Sequence, residues 1–185
     1  MDSLMAALVA ALLIRVTDPS ADMVAITAER SRKTGVVVLG VVIALFVTQA
    51  VAAIGGWLVA PHLNVHAARL LFAFSLLMAG GGAIWPRKPV KPSDGGHPFV
   101  ATTSKLIASG IGDRTMFATF AVAAGGVPVL AGIGGLVGGL VVLIGAAITG
   151  ETLWRDRPAR AVDLTIGGVL VAAGAWLAVS ALRLI

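Results

Sequence analysis

From Met116 to Gly150 the chain carries no charged residue, and three further stretches, Gly35 to Ala60, Leu70 to Pro86 and Leu164 to Leu182, are equally free of charge. About 20 consecutive apolar residues cross the hydrocarbon core of a bilayer as one helix, so each run reads as membrane-spanning. This pattern excludes a water-soluble domain and predicts an all-α membrane protein. Composition agrees, with 58% of the 185 residues hydrophobic and 12% charged, against roughly 25% charged in soluble domains. The mean hydropathy is +0.97. The 23 glycines fit as well, because small residues let membrane helices approach closely. There is no cysteine, which excludes disulfides, iron-sulfur clusters and thiolate chemistry.

Met116 to Gly150 is too long for one crossing. Ala124-Gly125-Gly126-Val127-Pro128 divides it into the end of a fourth helix and all of a fifth. The fourth must then begin near Pro98. The first segment, Leu4 to about Thr27, is apolar to Ile14 and then meets Arg15, Asp18, Pro19 and Asp22. It has the length of a signal peptide, but Asp2 stands where a basic leader belongs and no small-residue cleavage site precedes the charges. It is read as helix 1, which gives six transmembrane helices.

A net charge of +5 and a pI near 10.8 would suit nucleic acid, but the basic residues sit in short loops between apolar runs. They read as topology signals, so the expected partner is the lipid bilayer and not a nucleic acid. The loops after helices 1, 3 and 5 hold Arg30, Arg32, Lys33, then Arg87, Lys88, Lys91, then Arg155, Arg157, Arg160, while the opposite side has Arg69 and Arg183. The positive-inside rule makes the first side cytoplasmic and places both termini outside; a bacterial inner (plasma) membrane is the expected location. His62, His66 and His97 have no second ligand at metal spacing. Lys105 reads as a snorkelling residue, and Glu151 as a partner for Arg155 four residues on. Gln49 is a polar residue placed to line a path. The stripe Gly132-x-x-Gly135-x-x-x-Gly139 packs either within the bundle or against another protomer, leaving a homo-oligomer open.

The Pro- and Gly-rich stretch from Arg87 to Pro98 falls at mid-chain and reads as a linker between two units, residues 1–86 and 99–185. A shift of 95 residues lays helices 1, 2 and 3 on helices 4, 5 and 6 and Asp18 on Asp113. Three is an odd number, so the second unit enters from the other side of the membrane. That is an inverted repeat, the plan of many secondary transporters. Counting rises from the membrane entry puts Arg15-Val16-Thr17-Asp18-Pro19-Ser20-Ala21-Asp22 and Gly110-Ile111-Gly112-Asp113-Arg114-Thr115 about halfway across. Charge there costs at least about 2.5 kcal/mol per residue and must face a cavity, a partner or an ion. Pro19 breaks the first helix, while Gly110 and Gly112 loosen the second. Freed carbonyls at such breaks can join a carboxylate in holding a cation. The spacing of Arg15, Asp18 and Asp22 also places the three on one helical face.

Gly112-Asp113-Arg114-Thr115, followed by Met116-Phe117-Ala118-Thr119, resembles the second signature of the transmembrane protein 165 family, also called the Gdt family of cation/proton exchangers. That family carries Glu-x-Gly-Asp-(Lys/Arg)-(Ser/Thr) once in each three-helix half, and the likeness extends over the chain in order and spacing. The resemblance implies exchange of manganese or calcium against protons, with the signature carboxylates as metal ligands and no cofactor. By position, Asp18 and Asp113 match the aspartates and are the implied ligands. Arg114 and Thr115 match the basic and hydroxyl positions, and Ser20 matches the first hydroxyl.

The departures are as specific as the matches. Arg15 stands at the first glutamate position, Gly110 at the second, Thr17 at a glycine and Pro19 at the basic residue. Asp22 is an extra acid one turn on. Hard divalent cations want six or more oxygens and enough negative charge to offset dehydration, and Asp18, Asp22 and Asp113 against Arg15 and Arg114 sum to only −1. Arg15, reaching Asp18 and across to Asp113, would fill with a tethered charge the space of a metal; with Arg114 it is the modulating charge of the site. Two function classes survive: a secondary cation transporter, and a degenerate member serving as a non-transporting structural or regulatory subunit. An enzyme reading fails for want of a nucleophile-base pair or a histidine cluster.

Overall fold

The computed structural model describes residues 2–86, 97–155 and 158–182, apart from the side chains of residues 153 and 155, and its regular elements are all helical. Where the sequence predicts six helices, the described residues form eight α-helices, because two of the six are broken. Helices α1 (Asp2–Val16) and α2 (Pro19–Ser31) stand in place of the first. Helix α3 (Thr34–Val59) continues into a 3-10 turn (Ala60–His62), and α4 (Val65–Ile84) closes the first half. Helices α5 (Pro98–Gly110) and α6 (Arg114–Gly125) stand in place of the fourth, followed by α7 (Pro128–Arg155) and α8 (Ala159–Ala181).

Each break has a local cause. Pro19 has no amide to offer the helix before it and is preorganised for the first turn of a new one. Asp18 then caps α2, its Oδ1 accepting from the Ser20 amide at 2.7 Å, and α1 and α2 meet at a bend of 66°. The second break turns on Gly112, whose φ of +83° is a conformation that side-chain-bearing residues rarely adopt. Asp113 follows at the start of α6 but makes no capping hydrogen bond.

The α3 unit, α4, α7 and α8 are each long and apolar enough to cross a membrane, and α1 with α2 makes a fifth where the bent pair counts as one span. The α5–α6 pair falls short of that measure, since two short helices carry Thr102, Thr103, Ser104, Lys105, Asp113 and Arg114. The span count by length and apolarity is therefore four or five, where the sequence predicts six. The chain is an integral membrane protein. Leu39, Phe46, Ile54 and Trp57 on α3 and Val169 and Trp176 on α8 are exposed, an apolar surface suited to acyl chains.

The broken pairs lean on the long helix of the opposite half. Helices α1 and α2 lie on α7, α5 and α6 lie on α3, α3 crosses α7, and α4 lies on α8. Glycine permits this closeness: a Cβ on Gly138 would stand 2.6 Å from the Leu8 carbonyl oxygen, and one on Gly80 2.7 Å from that of Gly167. Gly132, Gly135 and Gly139 face Ala53, Gln49 and Leu45 of α3, so that stripe packs inside the bundle. Arg87, Lys88, Lys91, Arg157 and Arg183, with residues 87–96 of the linker, lie outside the described residues.

Candidate functional site

The two helix breaks bring four charged side chains to one place. Asp18 starts α2, Asp113 starts α6, and Arg15 leaves the last turn of α1 between them, only 3% exposed. One guanidinium nitrogen of Arg15, Nη1, lies 3.0 Å from Asp113 Oδ2 and 3.9 Å from Asp18 Oδ1. The same nitrogen donates to Ser20 Oγ at 3.1 Å. Arg114 closes the group from the other side, with Nη2 3.6 Å from Asp18 Oδ2 and Nη1 donating to the Ala79 carbonyl of α4 at 3.2 Å. The Arg15–Asp113 approach is short but not aligned as a hydrogen bond, and Arg15 Nε has no partner. Charges removed from water cost several kcal/mol each unless paired. Here two carboxylates meet two guanidinium groups, and the formal charges cancel.

The pair is reached through a cavity of about 300 Å³ between α2 and α5, with Arg15, Asp18 and Asp113 beside Pro19, Ser20, Met23 and Ser109. Its residues from α2 and α5 lie on the side of the breaks toward Ser31 and Pro98. The opposite end of the bundle has a separate cavity of about 280 Å³, where Asp2, Ser3 and Arg69 meet Gly125 and Gly126. Between the two, Ala7, Ala10, Ile14, Ala118 and Val122 are buried and apolar. The carboxylates thus open toward one end and are sealed from the other.

Other residues singled out by sequence lie elsewhere. The helix breaks between Arg15 and Asp22, so no continuous face joins them. Asp22 instead accepts from the Trp154 indole Nε1 at 2.8 Å, on the side of α2 that packs against α7. Glu151 pairs with Arg30 at 3.5 Å, where the sequence suggests Arg155, whose side chain lies outside the described residues. Lys105 is exposed. Thr115 is fully buried with its hydroxyl unpartnered. Among the described residues no three or more His, Cys, Asp or Glu side chains gather as a metal site. The available oxygens are therefore two carboxylates and neutral hydroxyls and carbonyls. Sequence reasoning missed Met23 and Ser109; the position of Ser109 beside Gly110 is the signal that could have found it.

Residues 98–184, from the start of α5 through α8, match the family model described as Divalent cation/proton antiporter GDT1. No curated protein and no solved structure matches the chain.

Proposed function

We propose that this chain, a member of the divalent cation/proton antiporter GDT1 family by the match over its second half, exchanges manganese or calcium for protons at Asp18 and Asp113, with Arg15 resting where the cation binds. The family indicates divalent cation/proton antiport in general. The observation that carries the finer reading is the single Arg15 nitrogen within 3.9 Å of both carboxylates at the floor of a cavity.

The electrostatics define the exchange. With both arginines in place the site is neutral, so a divalent cation enters only if Arg15 withdraws. Two carboxylates then hold the ion, with Ser20 Oγ, Thr115 Oγ and water completing a shell of oxygens. Protonation of the carboxylates removes their hold on the cation and releases it, and this ties cation movement to proton movement. Arg114, anchored to Ala79, keeps Asp18 in place throughout. An inverted repeat is supported by the reciprocal packing, in which each broken pair lies on the long helix of the other half, and by the recurrence of an aspartate at each break. Residues 1–86 and 99–185 are then the two units. Both termini lie outside, so a cysteine at Asn64 is labelled only from outside and one at Lys91 or Arg157 only from the cytoplasm.

Reconstituted vesicles with an imposed pH gradient test the reading, using manganese and calcium in turn. Uptake that depends on the gradient and disappears in Asp113→Asn supports it. The 3.0 Å approach of Arg15 to Asp113 favours one competing reading, a subunit whose site is permanently filled by its own arginine. Absence of divalent binding together with absence of uptake would select that alternative.

A further inference from the structure

Three glycines in a row, Gly80-Gly81-Gly82, lie near the end of α4, and each stands in different surroundings. A Cβ on Gly80 would lie 2.7 Å from the Gly167 carbonyl oxygen and 2.9 Å from the Val171 amide nitrogen, so this glycine lets α4 and α8 touch backbone to backbone. A Cβ on Gly81 would meet nothing within 4 Å. On Gly82, which is exposed, the nearest atoms to a Cβ all belong to one side chain, that of Arg114: Nη1 at 2.9 Å, Cδ at 3.1 Å and Cζ at 3.4 Å. The missing side chain of Gly82 is thus the seat of an arginine that belongs to the site.

Seated there, the guanidinium divides its nitrogens between two acceptors. Nη1 donates to the Ala79 carbonyl at 3.2 Å, and Nη2 stays 3.6 Å from Asp18 Oδ2. Charge-assisted bonds between a guanidinium and a carboxylate are about 2.7–2.9 Å long, so Arg114 stops short of one. Arg15, by comparison, approaches Asp113 to 3.0 Å. The negative end of the α4 dipole favours a cation over its last turn, which holds Arg114 on the same side. The stand-off matters because Asp18 Oδ1 already accepts from the Ser20 amide. Oδ2 is the oxygen that remains for a cation, and an arginine bonded to it would compete directly.

We propose that Gly82 is a positioning residue, which seats the Arg114 guanidinium on α4 and so keeps it from closing on Asp18, leaving Asp18 Oδ2 to the cation. It acts through Arg114 alone. In Gly82→Ala the new methyl group crowds Nη1, the bond to the Ala79 carbonyl is lost, and the freed guanidinium closes on the carboxylate that already lies 3.6 Å from its other nitrogen. The helix tolerates the change, because alanine forms helix better than glycine and what yields is the far end of a long side chain. The same substitution at Gly80 would instead meet the backbone of α8 and force the two helices apart.

For the identity of the competing ion the inference rests on the antiport reading, and two measurements separate them. Manganese affinity of the purified protein is compared for Gly82→Ala in two backgrounds, the unmodified chain and Arg114→Gln, with Gly81→Ala as the neighbouring control. Expected is affinity about tenfold weaker in Gly82→Ala while Arg114 is present, and a change within about twofold once Arg114 is glutamine and in the control. A methyl group that merely disturbed α4 would act alike in both backgrounds, so equal loss in both, or no loss with Arg114 present, overturns the proposal. An experimental structure of Gly82→Ala decides the positioning with no cation added: Arg114 is expected on Asp18 at about 2.8 Å and off Ala79. A guanidinium still seated on Ala79 overturns the proposal even where antiport is intact. If the unmodified protein binds no divalent ion, the antiport reading fails by itself, and that structure still decides whether Gly82 seats Arg114.

Discussion

The two helix breaks place an aspartate at the same point and build its surroundings by different means. At the first, Pro19 ends one helix and Asp18 spends an oxygen on the Ser20 amide as a cap. At the second, Gly112 turns the chain through a positive φ and Asp113 is left without a capping bond. Asp113 is the less committed carboxylate, and it is the one the Arg15 guanidinium approaches most closely. The arginines are also exchanged between breaks: Arg15 of the first reaches Asp113 at 3.0 Å, and Arg114 of the second reaches Asp18 at 3.6 Å. Neither break is a self-contained site, and a change in one is felt in the other.

The strongest way to break this comparison is to remove one charge at a time. Asp113→Asn should lower gradient-driven cation uptake about 100-fold or more, a loss near 2.8 kcal/mol at about 1.4 kcal/mol per factor of ten. Asp18→Asn keeps a good cap, since asparagine is as effective as aspartate at a helix start. It should lower uptake about tenfold, because this carboxylate already shares itself with a backbone amide. Equal losses in the two variants would show that capping does not distinguish the aspartates.

The backbone offers a second test, on stability. Gly112→Ala forces a side chain into the left-handed region and should cost about 1–2 kcal/mol, read as a lower melting temperature of the purified protein. Thr17→Gly, at the matching point of the first break, loses one hydroxyl bond to the Ile14 carbonyl and should cost about 1 kcal/mol or less. If the two substitutions are equivalent, the breaks are held by packing and not by local conformation.

The smallest effect is expected at Asp22. Its carboxylate is engaged by the Trp154 indole, so Asp22→Asn should change uptake by less than about threefold while lowering stability by roughly 1 kcal/mol, the worth of one hydrogen bond. A large transport defect would return Asp22 to the site and the net charge there to −1.

The long uncharged runs made α3, α7 and α8 legible, because few alternatives exist for so much apolar surface. Both breaks were legible too, from Pro19 and from Gly110-Ile111-Gly112. The direction of the chain after each break was not. Placing Asp22 on the face of Arg15 assumes an unbroken helical period, which the 66° bend destroys. The reach of Arg15 to Asp113 follows from laying one half of the chain on the other, but the return contact of Arg114 with Asp18, between helices more than 90 residues apart in sequence, has no local pattern that encodes it. The unpartnered hydroxyl of Thr119 has no local signal either: a threonine in an apolar helix normally bonds its own backbone, and only the packing of α3 and α7 against α6 shows that this one does not.

The central claim is that Arg15 occupies the position a transported cation takes. Manganese affinity of the purified protein, measured by the loss of the free-ion electron paramagnetic signal, tests it in Arg15→Gln against the unmodified chain. A unit charge about 4 Å away is worth about 4 kcal/mol at an effective dielectric of 20. Allowing for relaxation and water, the account predicts affinity raised at least about tenfold in the variant. Affinity unchanged or weakened would contradict it, and would mean that the ion is held somewhere other than between Asp18 and Asp113.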